Sequence, residues 1–427
     1  MLWLLFISFF IFLAMGVPIA FVLILSTLVY IFSTGGDVSC LLVPQRIMRG
    51  VNSYLLICLP LFILAGNIMN QGGITERLVR FAQVFVGHIR GGLAMVNVLV
   101  CVLFGGISGS AVAGTSAVGS IMIPAMKKEG YGDDFAAGLT AVASTCCPII
   151  PPSLAFVIYG AMAKVSIGDM FLAGYIPGIM MGLFMMCVVY IYAFKRKYPK
   201  MPRPTLKEFI AAVLQGLPCV FLPVLIIVGL ISGWFTPTEA AAFACVYALF
   251  LSAFVYRSIT WKNLWNALVD SAVDSASIML IVGACYLFGW VIANERIAVK
   301  LTDLLLGLDV PLWVKLLYIN LALLVVGMFM DSAPAILLVT PILAPVMVVG
   351  MGLDPIHVGM IICLNLVIGL STPPVGVCLY AAANIGKVTF EKTIKASIPF
   401  TLVSITVLML ITYIPFLTEI PFKFFRF

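Results

Sequence analysis

The chain has 427 residues, 63% hydrophobic and 10% charged, with 24 Lys and Arg against 17 Asp and Glu for a net charge of +7. A soluble domain averages about 45–50% apolar and about 25% charged residues, so a mean hydropathy of +1.19 excludes a soluble globular protein and leaves a polytopic membrane protein. The positive excess sits in short connections between apolar runs. It therefore speaks to orientation in a bilayer and not to nucleic-acid binding.

Apolar segments lie near 2–32, 54–70, 93–126, 135–163, 170–194, 213–232, 236–256, 264–292, 313–349, 356–384 and 397–419. At about 20 residues per crossing they predict an all-α fold of roughly nine to eleven spans. Met1–Phe32 lacks a basic leader and an Ala-x-Ala-like cleavage site, and reads as a retained first span bent near Gly16 and Pro18. Segments 93–126 and 313–349 are too long for one crossing and too short for two with a loop. Ser108-Gly109-Ser110 interrupts the first and Asp331-Ser332-Ala333-Pro334 the second. Each is expected to be a re-entrant hairpin, whose non-helical tip must be buried in protein or lined by water. A single long tilted helix with a polar kink is the alternative. Behind each hairpin comes a run broken at a proline pair, Pro151-Pro152 in 135–163 and Pro373-Pro374 in 356–384.

These element pairs are copies of one another. Gly109-Ser110-Ala111 answers Met330-Asp331-Ser332, Gly106 answers Gly327, Pro124 answers Pro345 and Asp133 answers Asp354, all at one constant spacing. After a one-residue slip the two proline pairs correspond, as do Pro177 and Pro399. Lys195-Arg196-Lys197, Lys200, Arg203 and Lys207 make 195–212 the densest basic connection, which puts it in the cytoplasm. Arg90 and Lys127-Lys128, at the feet of the first hairpin, thread to that same side. The turn after the second hairpin, 350–355, has no basic residue. The exit of the second broken helix instead carries Lys387, Lys392 and Lys395, where the first offers Lys164 alone. The positive charge changes ends between copies, as inverted topology requires. Arg46, Arg49, Lys423 and Arg426 then fall outside, against the rule. The expected division is an N-terminal scaffold span and loop (1–49), repeat 1 (50–194), a cytoplasmic linker (195–212), scaffold helices (213–263) and repeat 2 (264–427). Inverted repeats with broken helices are the plan of secondary transporters.

Asp331 stands in the apolar run Leu321–Val348, whose only other polar side chains are Ser332 and Thr340. An ionised carboxylate at mid-bilayer costs roughly 2.5–3.5 kcal/mol even on the lenient insertion scale. A bound cation would compensate; a helix N-cap with Pro334 just inside is the plainer role, and both can hold. The first tip has no acid, but Ser108, Gly109 and Ser110 offer hydroxyl and backbone oxygens suited to a hard cation such as Na+. Opposite the tips, Ser144-Thr145-Cys146-Cys147-Pro148 with Pro151-Pro152-Ser153, and Gly369 with Ser371-Thr372-Pro373-Pro374, mark unwound backbone. Proline lacks an N–H and frees carbonyl oxygens from helical bonding. Half-helix ends at such breaks supply carbonyls to cations and N–H groups to an anionic substrate. A kink made only for packing is the alternative.

Other chemistries lack parts. Gly106-Ile107-Ser108-Gly109 resembles a serine-protease motif, but a nucleophile needs a neighbouring base, and the only histidines, His88 and His357, sit near predicted membrane edges. A phosphate-cradling GxxxxGK[ST] fails at Gly386-Lys387, where Ala381 replaces the first glycine. The 11 cysteines include no CxxC and read as packing.

The stretches GGISGSAVAGTSAVGSIMIPAMKKEGY (105–131), IIPPS (149–153), WFTPTEAAAFA (234–244), GMFMDSAPAILLVTPILAPV (327–346) and GLSTPPVGVCLYAAA (369–383) resemble the large membrane subunit of tripartite ATP-independent periplasmic (TRAP) transporters, the DctM/SiaM type. The resemblance implies an ion-transporter-superfamily fold, with a scaffold and a mobile transport domain that holds both hairpins. It implies a multi-pass carrier in the bacterial cytoplasmic (inner) membrane that imports an organic acid anion, of the sialic acid or C4-dicarboxylate class, with Na+. The partners implied are a small four-helix membrane subunit and a soluble periplasmic substrate-binding protein; a standalone Na+- or H+-coupled carrier is the alternative. Some relatives fuse the small subunit ahead of the large one; with the first span so near residue 1, a separate small subunit is the expectation here. By position, two Na+ sites are expected. One lies between Ser108, Gly109, Ser110 and Ser144, Thr145, Pro148; the other between Met330, Asp331, Ala333 and Gly369, Ser371, Thr372. Ser108, Ser153, Asp331, Ser332 and Thr372 are the candidate substrate contacts.

Overall fold

The computed structural model describes residues 2–34, 39–307 and 309–425; Arg426, assigned above to the outer side, lies outside them. Among the described residues the fold is built from helices, with no strand. Eight helices are long and apolar enough to cross a membrane, and shorter apolar helices make the first hairpin arm, the second half of the first broken element and both halves of the second.

The hairpins follow from their interruptions. Gly92–Ser108 and Ala111–Lys128 form the first; Gly109 turns the chain at φ +60°, a left-handed conformation glycine adopts without steric cost. Ser110 caps the return arm by accepting from the Ala113 N–H at 3.4 Å. In the second, Leu312–Phe329 ends at extended Met330, and the return arm Ser332–Pro345 runs on to Gly350 as a π turn. Each broken element is two α-helices separated by a stretch that is not α-helical. They are Asp133–Ala143 with Leu154–Ala163, and Pro355–Gly369 with Val377–Gly386. The proline pairs lie in the breaks, both with cis peptide bonds, and each second half ends at a lysine with positive φ, Lys164 and Lys387.

Contacts between the copies establish the inversion. At the foot of the first hairpin Lys127 Nζ donates to the Gly386 carbonyl at 2.8 Å, so that foot and the exit of the second broken helix share one side. The connection that opens at Arg196 joins the same side, since the Gly91 N–H donates to Pro199 at 3.2 Å and the Met201 N–H to Gly87 at 3.3 Å. At the other side, the Tyr159 hydroxyl near the exit of the first broken helix donates to Pro355, where the second begins. The return arm of each hairpin packs on the second half of the other copy's broken helix. The two repeats are therefore interleaved and not merely adjacent.

Buried amides pin each hairpin's first arm to the broken helix behind it. Asn97 Nδ2 donates to Thr140 Oγ1 at 2.6 Å. Asn365 Nδ2 donates to Asn320 Oδ1 at 2.6 Å, and Asn320 Nδ2 passes on to Thr412 Oγ1 at 3.3 Å. All of these residues are buried. An orphaned buried polar group costs about 1–3 kcal/mol, so Asn320→Leu, nearly equal in shape, is expected to lower the thermal unfolding midpoint of the purified protein. An unchanged midpoint would show that the amide pair contributes nothing.

Two expectations are corrected. The N-terminal segment is not one bent span but two helices, Leu2–Ala14 and Ile19–Ser33, packed on one another. The Val17 N–H bonds back to Phe12 across Gly16 at φ +76°, which closes the first helix before Pro18 opens the next. The basic connection is also shorter than 195–212. Its helix starts at Leu206 with a capping box in which Thr205 accepts from the Glu208 N–H and the Glu208 carboxylate accepts from Thr205.

Candidate functional site

The two hairpin tips face one cavity of about 470 Å³. One wall is made by Ser108, Gly109 and Ser110 of the first tip, Asp331 to Pro334 of the second, and Leu154 and Ala155 from the first broken helix. The opposite wall comes from two long helices. Tyr54–Gln71, whose α-helical part starts at Cys58, contributes Gly66, Asn67 and Asn70, and Trp261–Asn294 contributes Asp274 and Ser277.

Glycines let the tips and breaks meet. A side chain on Gly109 would come within 3.1 Å of the Pro152 carbonyl, and one on Gly105 within 3.0 Å of the Cys147 backbone. In the second copy Gly327 and Gly369 touch backbone to backbone. These contacts bring the first tip against the Cys147–Leu154 break, and the second hairpin's arm against the Gly369 break. A third set joins the copies, because Thr115 Oγ1 and Ser144 Oγ share a hydrogen bond and both lie against Cys378.

Three helices begin at the cavity: Ala111–Lys128, Leu154–Ala163 and Ser332–Pro345. Their free N–H groups and positive dipole ends attract an anion. Ser110 and Ser153 close the expected cap bonds, the latter to the Phe156 N–H at 3.3 Å. Asp331 occupies the N-cap position with φ −64° and ψ 153°, yet its carboxylate makes no cap hydrogen bond. It lies instead against the N–H and the hydroxyl of Ser332, at the edge of the cavity. No described residue lining the cavity is Lys, Arg or His, while two, Asp274 and Asp331, are acids.

The family model for the tripartite ATP-independent periplasmic transporter, DctM component, matches residues 6–417. The chain belongs to this family. It is 42% identical over 410 residues to YgiK of Salmonella typhimurium, covering 96% of this chain and 94% of that protein. The C4-dicarboxylate TRAP transporter large permease protein DctM of Pseudomonas aeruginosa is 41% identical over 362 residues, 85% of this chain and 84% of that one. The sialic acid TRAP transporter large permease protein SiaM of Vibrio cholerae is 38% identical over 401 residues, 94% and 93%. Among solved structures, the Alcanivorax borkumensis YdaH transporter superposes with a TM-score of 0.64 at 13% identity, over 93% of this chain and 89% of that one. That likeness concerns the fold. The chain is thus a TRAP large permease, a transporter subunit of a tripartite system for organic acids and not an enzyme.

Within this permease the predicted residues separate into two groups. Ser108, Gly109, Ser110, Asp331, Ser332 and Ala333 line the cavity. Ser144, Thr145, Ser153 and Ser371 are buried in the breaks, and Thr372 is nearly so. Their hydroxyls are turned to backbone: Thr145 to Val142, Ser153 to the Pro148 carbonyl, and Ser371 and Thr372 to Ile368. Pro148 is therefore engaged by Ser153, and neither Ser153 nor Thr372 reaches the cavity. Met330 joins the two arms at the second tip, and Gly369 packs on Gly327. Sequence reasoning passed over Asn67, Asn70, Asp274 and Ser277. The available signal was Asn67 and Asn70 one helical turn apart in an otherwise apolar span, and Asp274 and Ser277 one turn apart in the polar first half of Trp261–Asn294.

Proposed function

We propose that this permease carries an organic acid anion together with Na+ across the bacterial cytoplasmic membrane, taking it from a soluble periplasmic binding protein and working beside a small four-helix membrane subunit. One observation carries the reading. An anion entering the cavity finds two carboxylates and no basic side chain among the described lining residues. Helix N-termini offset part of that repulsion, and cations held at the two tips supply the rest. The oxygen-rich sets proposed for them are Ser108 to Ser110 with Ser144, Thr145 and Pro148, and Met330 to Ala333 with Gly369, Ser371 and Thr372. In this reading the tip-facing wall travels as a transport domain along a fixed scaffold. Gly66 supports that motion, since its bare backbone lies against Ile107 and Ser108 of the first tip.

Sodium and substrate then reinforce each other, because coupling between two bound ligands is reciprocal. Uptake of sialic acid and of succinate by proteoliposomes holding both membrane subunits, with the cognate binding protein outside, tests this. The expected result is accumulation of one of them under an inward Na+ gradient and none with K+ in its place. Equal uptake in K+ would remove sodium from the mechanism, and full uptake without the binding protein would favour a standalone carrier.

A further inference from the structure

The scaffold wall of the cavity has a chemistry of its own. Asn67 and Asn70 are one turn apart on Tyr54–Gln71, and Asp274 and Ser277 one turn apart on Trp261–Asn294, the two helices taken here as the fixed side of the cavity. The helices cross here, and Asn67 Nδ2 donates to Ser271 Oγ at 2.9 Å and also reaches the Asp274 carboxylate. Asn70, Asp274 and Ser277 are exposed on the cavity side. The wall thus mixes amide donors and acceptors, a hydroxyl and a carboxylate acceptor, with no described cation.

We infer that this wall reads the body of the substrate, and that the permease prefers a polyhydroxylated monocarboxylate, a sugar acid, over a short dicarboxylate. The inference rests on the organic-anion reading above and narrows it. An anion seated with its carboxylate at the helix N-termini of the tips directs the rest of its chain toward Asp274. A hydroxylated chain donates to Asp274 Oδ and exchanges hydrogen bonds with Asn67, Asn70 and Ser277. Succinate, an unhydroxylated dicarboxylate of four carbons, brings a second negative charge toward Asp274 and has no hydroxyl to donate. A site built to hydrogen-bond substrate hydroxyls rejects analogues without them, because its own polar groups are left unpaired. The cavity of about 470 Å³ has room for a six- to nine-carbon acid.

Direct binding to the purified two-subunit membrane complex separates this from selection by the binding protein. Gluconate, N-acetylneuraminate and succinate are the probes, each in NaCl and in KCl, read by thermal stabilisation and by calorimetric Kd. The expected result is Na+-dependent binding of at least one hydroxylated acid, at least about tenfold tighter than succinate. Asp274→Asn is expected to shrink that ratio by weakening the hydroxylated acid and improving succinate. Succinate binding as tightly as the hydroxylated acids in NaCl overturns the substrate class and leaves Na+-coupled anion carriage standing. Binding that is equal in NaCl and KCl sinks the broader reading instead. A ratio unmoved by both Asp274→Asn and Asn70→Ala, with the sodium dependence intact, removes the scaffold wall from recognition, and so does the absence of binding by all three probes.

Discussion

Asp331→Asn is expected to lower apparent sodium affinity by about a hundredfold and to abolish uptake at moderate sodium, while the protein inserts and folds normally. The size follows from the cost of a mid-membrane carboxylate, about 2.5–3.5 kcal/mol, at about 1.4 kcal/mol per decade of affinity. The residue holds an N-cap position without making the cap bond, whereas its counterpart Ser110 does make it. The carboxylate does accept from the N–H and hydroxyl of Ser332, and an amide oxygen in its place can keep both contacts while removing the charge from the cavity. Asparagine keeps the shape, and is itself a good N-cap, so lost transport cannot be assigned to lost structure. Asp331→Ala gives the harsher version of the same result. Sodium titration of uptake in proteoliposomes is the measurement, and a curve superimposable on the parent's would end the assignment of a cation to this tip.

A second large effect is expected from Gly369→Ala. A Cβ there would lie 2.4 Å from the Gly327 carbonyl carbon and 2.5 Å from its Cα. Both obstacles are backbone, so no side chain can swing aside. The hairpin arm must move away from the break, and overpacking of this kind costs about 1–3 kcal/mol, occasionally more. Because the displaced pair joins the second tip's arm to the second break, transport should fall further than stability, to below about a tenth of the parent rate. Gly289→Ala is the matched control. Nothing lies within 4 Å of its added methyl, and alanine in a helix interior is better than glycine by roughly 0.5–1 kcal/mol. Equal thermal unfolding midpoints for the two variants would refute the contact.

The reach of the sequence differs from element to element. Both hairpins were legible because Ser108-Gly109-Ser110 and Asp331 to Pro334 interrupt runs too long for one crossing. The proline pairs marked the breaks for a covalent reason, the missing N–H, which no environment restores. Inversion was legible because basic residues collect on one side of the membrane, and the Lys127–Gly386 and Tyr159–Pro355 hydrogen bonds join the ends that the charges had paired. The N-terminal segment misled because hydropathy measures length and not direction. Gly16 and Pro18 permit either a bend or a reversal, and packing chose the reversal.

The amino-acid sequence by itself determined that this is an inverted-repeat membrane carrier with an acid at one re-entrant tip, because apolar length, proline, glycine and charge act locally and carry the same meaning wherever they stand. The tertiary structure alone decided which hydroxyls face the cavity and which turn to their own backbone. It also decided that Asn67 meets a helix 204 residues away at Ser271 and Asp274. The physical reason is that a lone polar side chain in an apolar helix has no fixed partner. Its role is set by whichever distant surface the crossing of two helices brings opposite it.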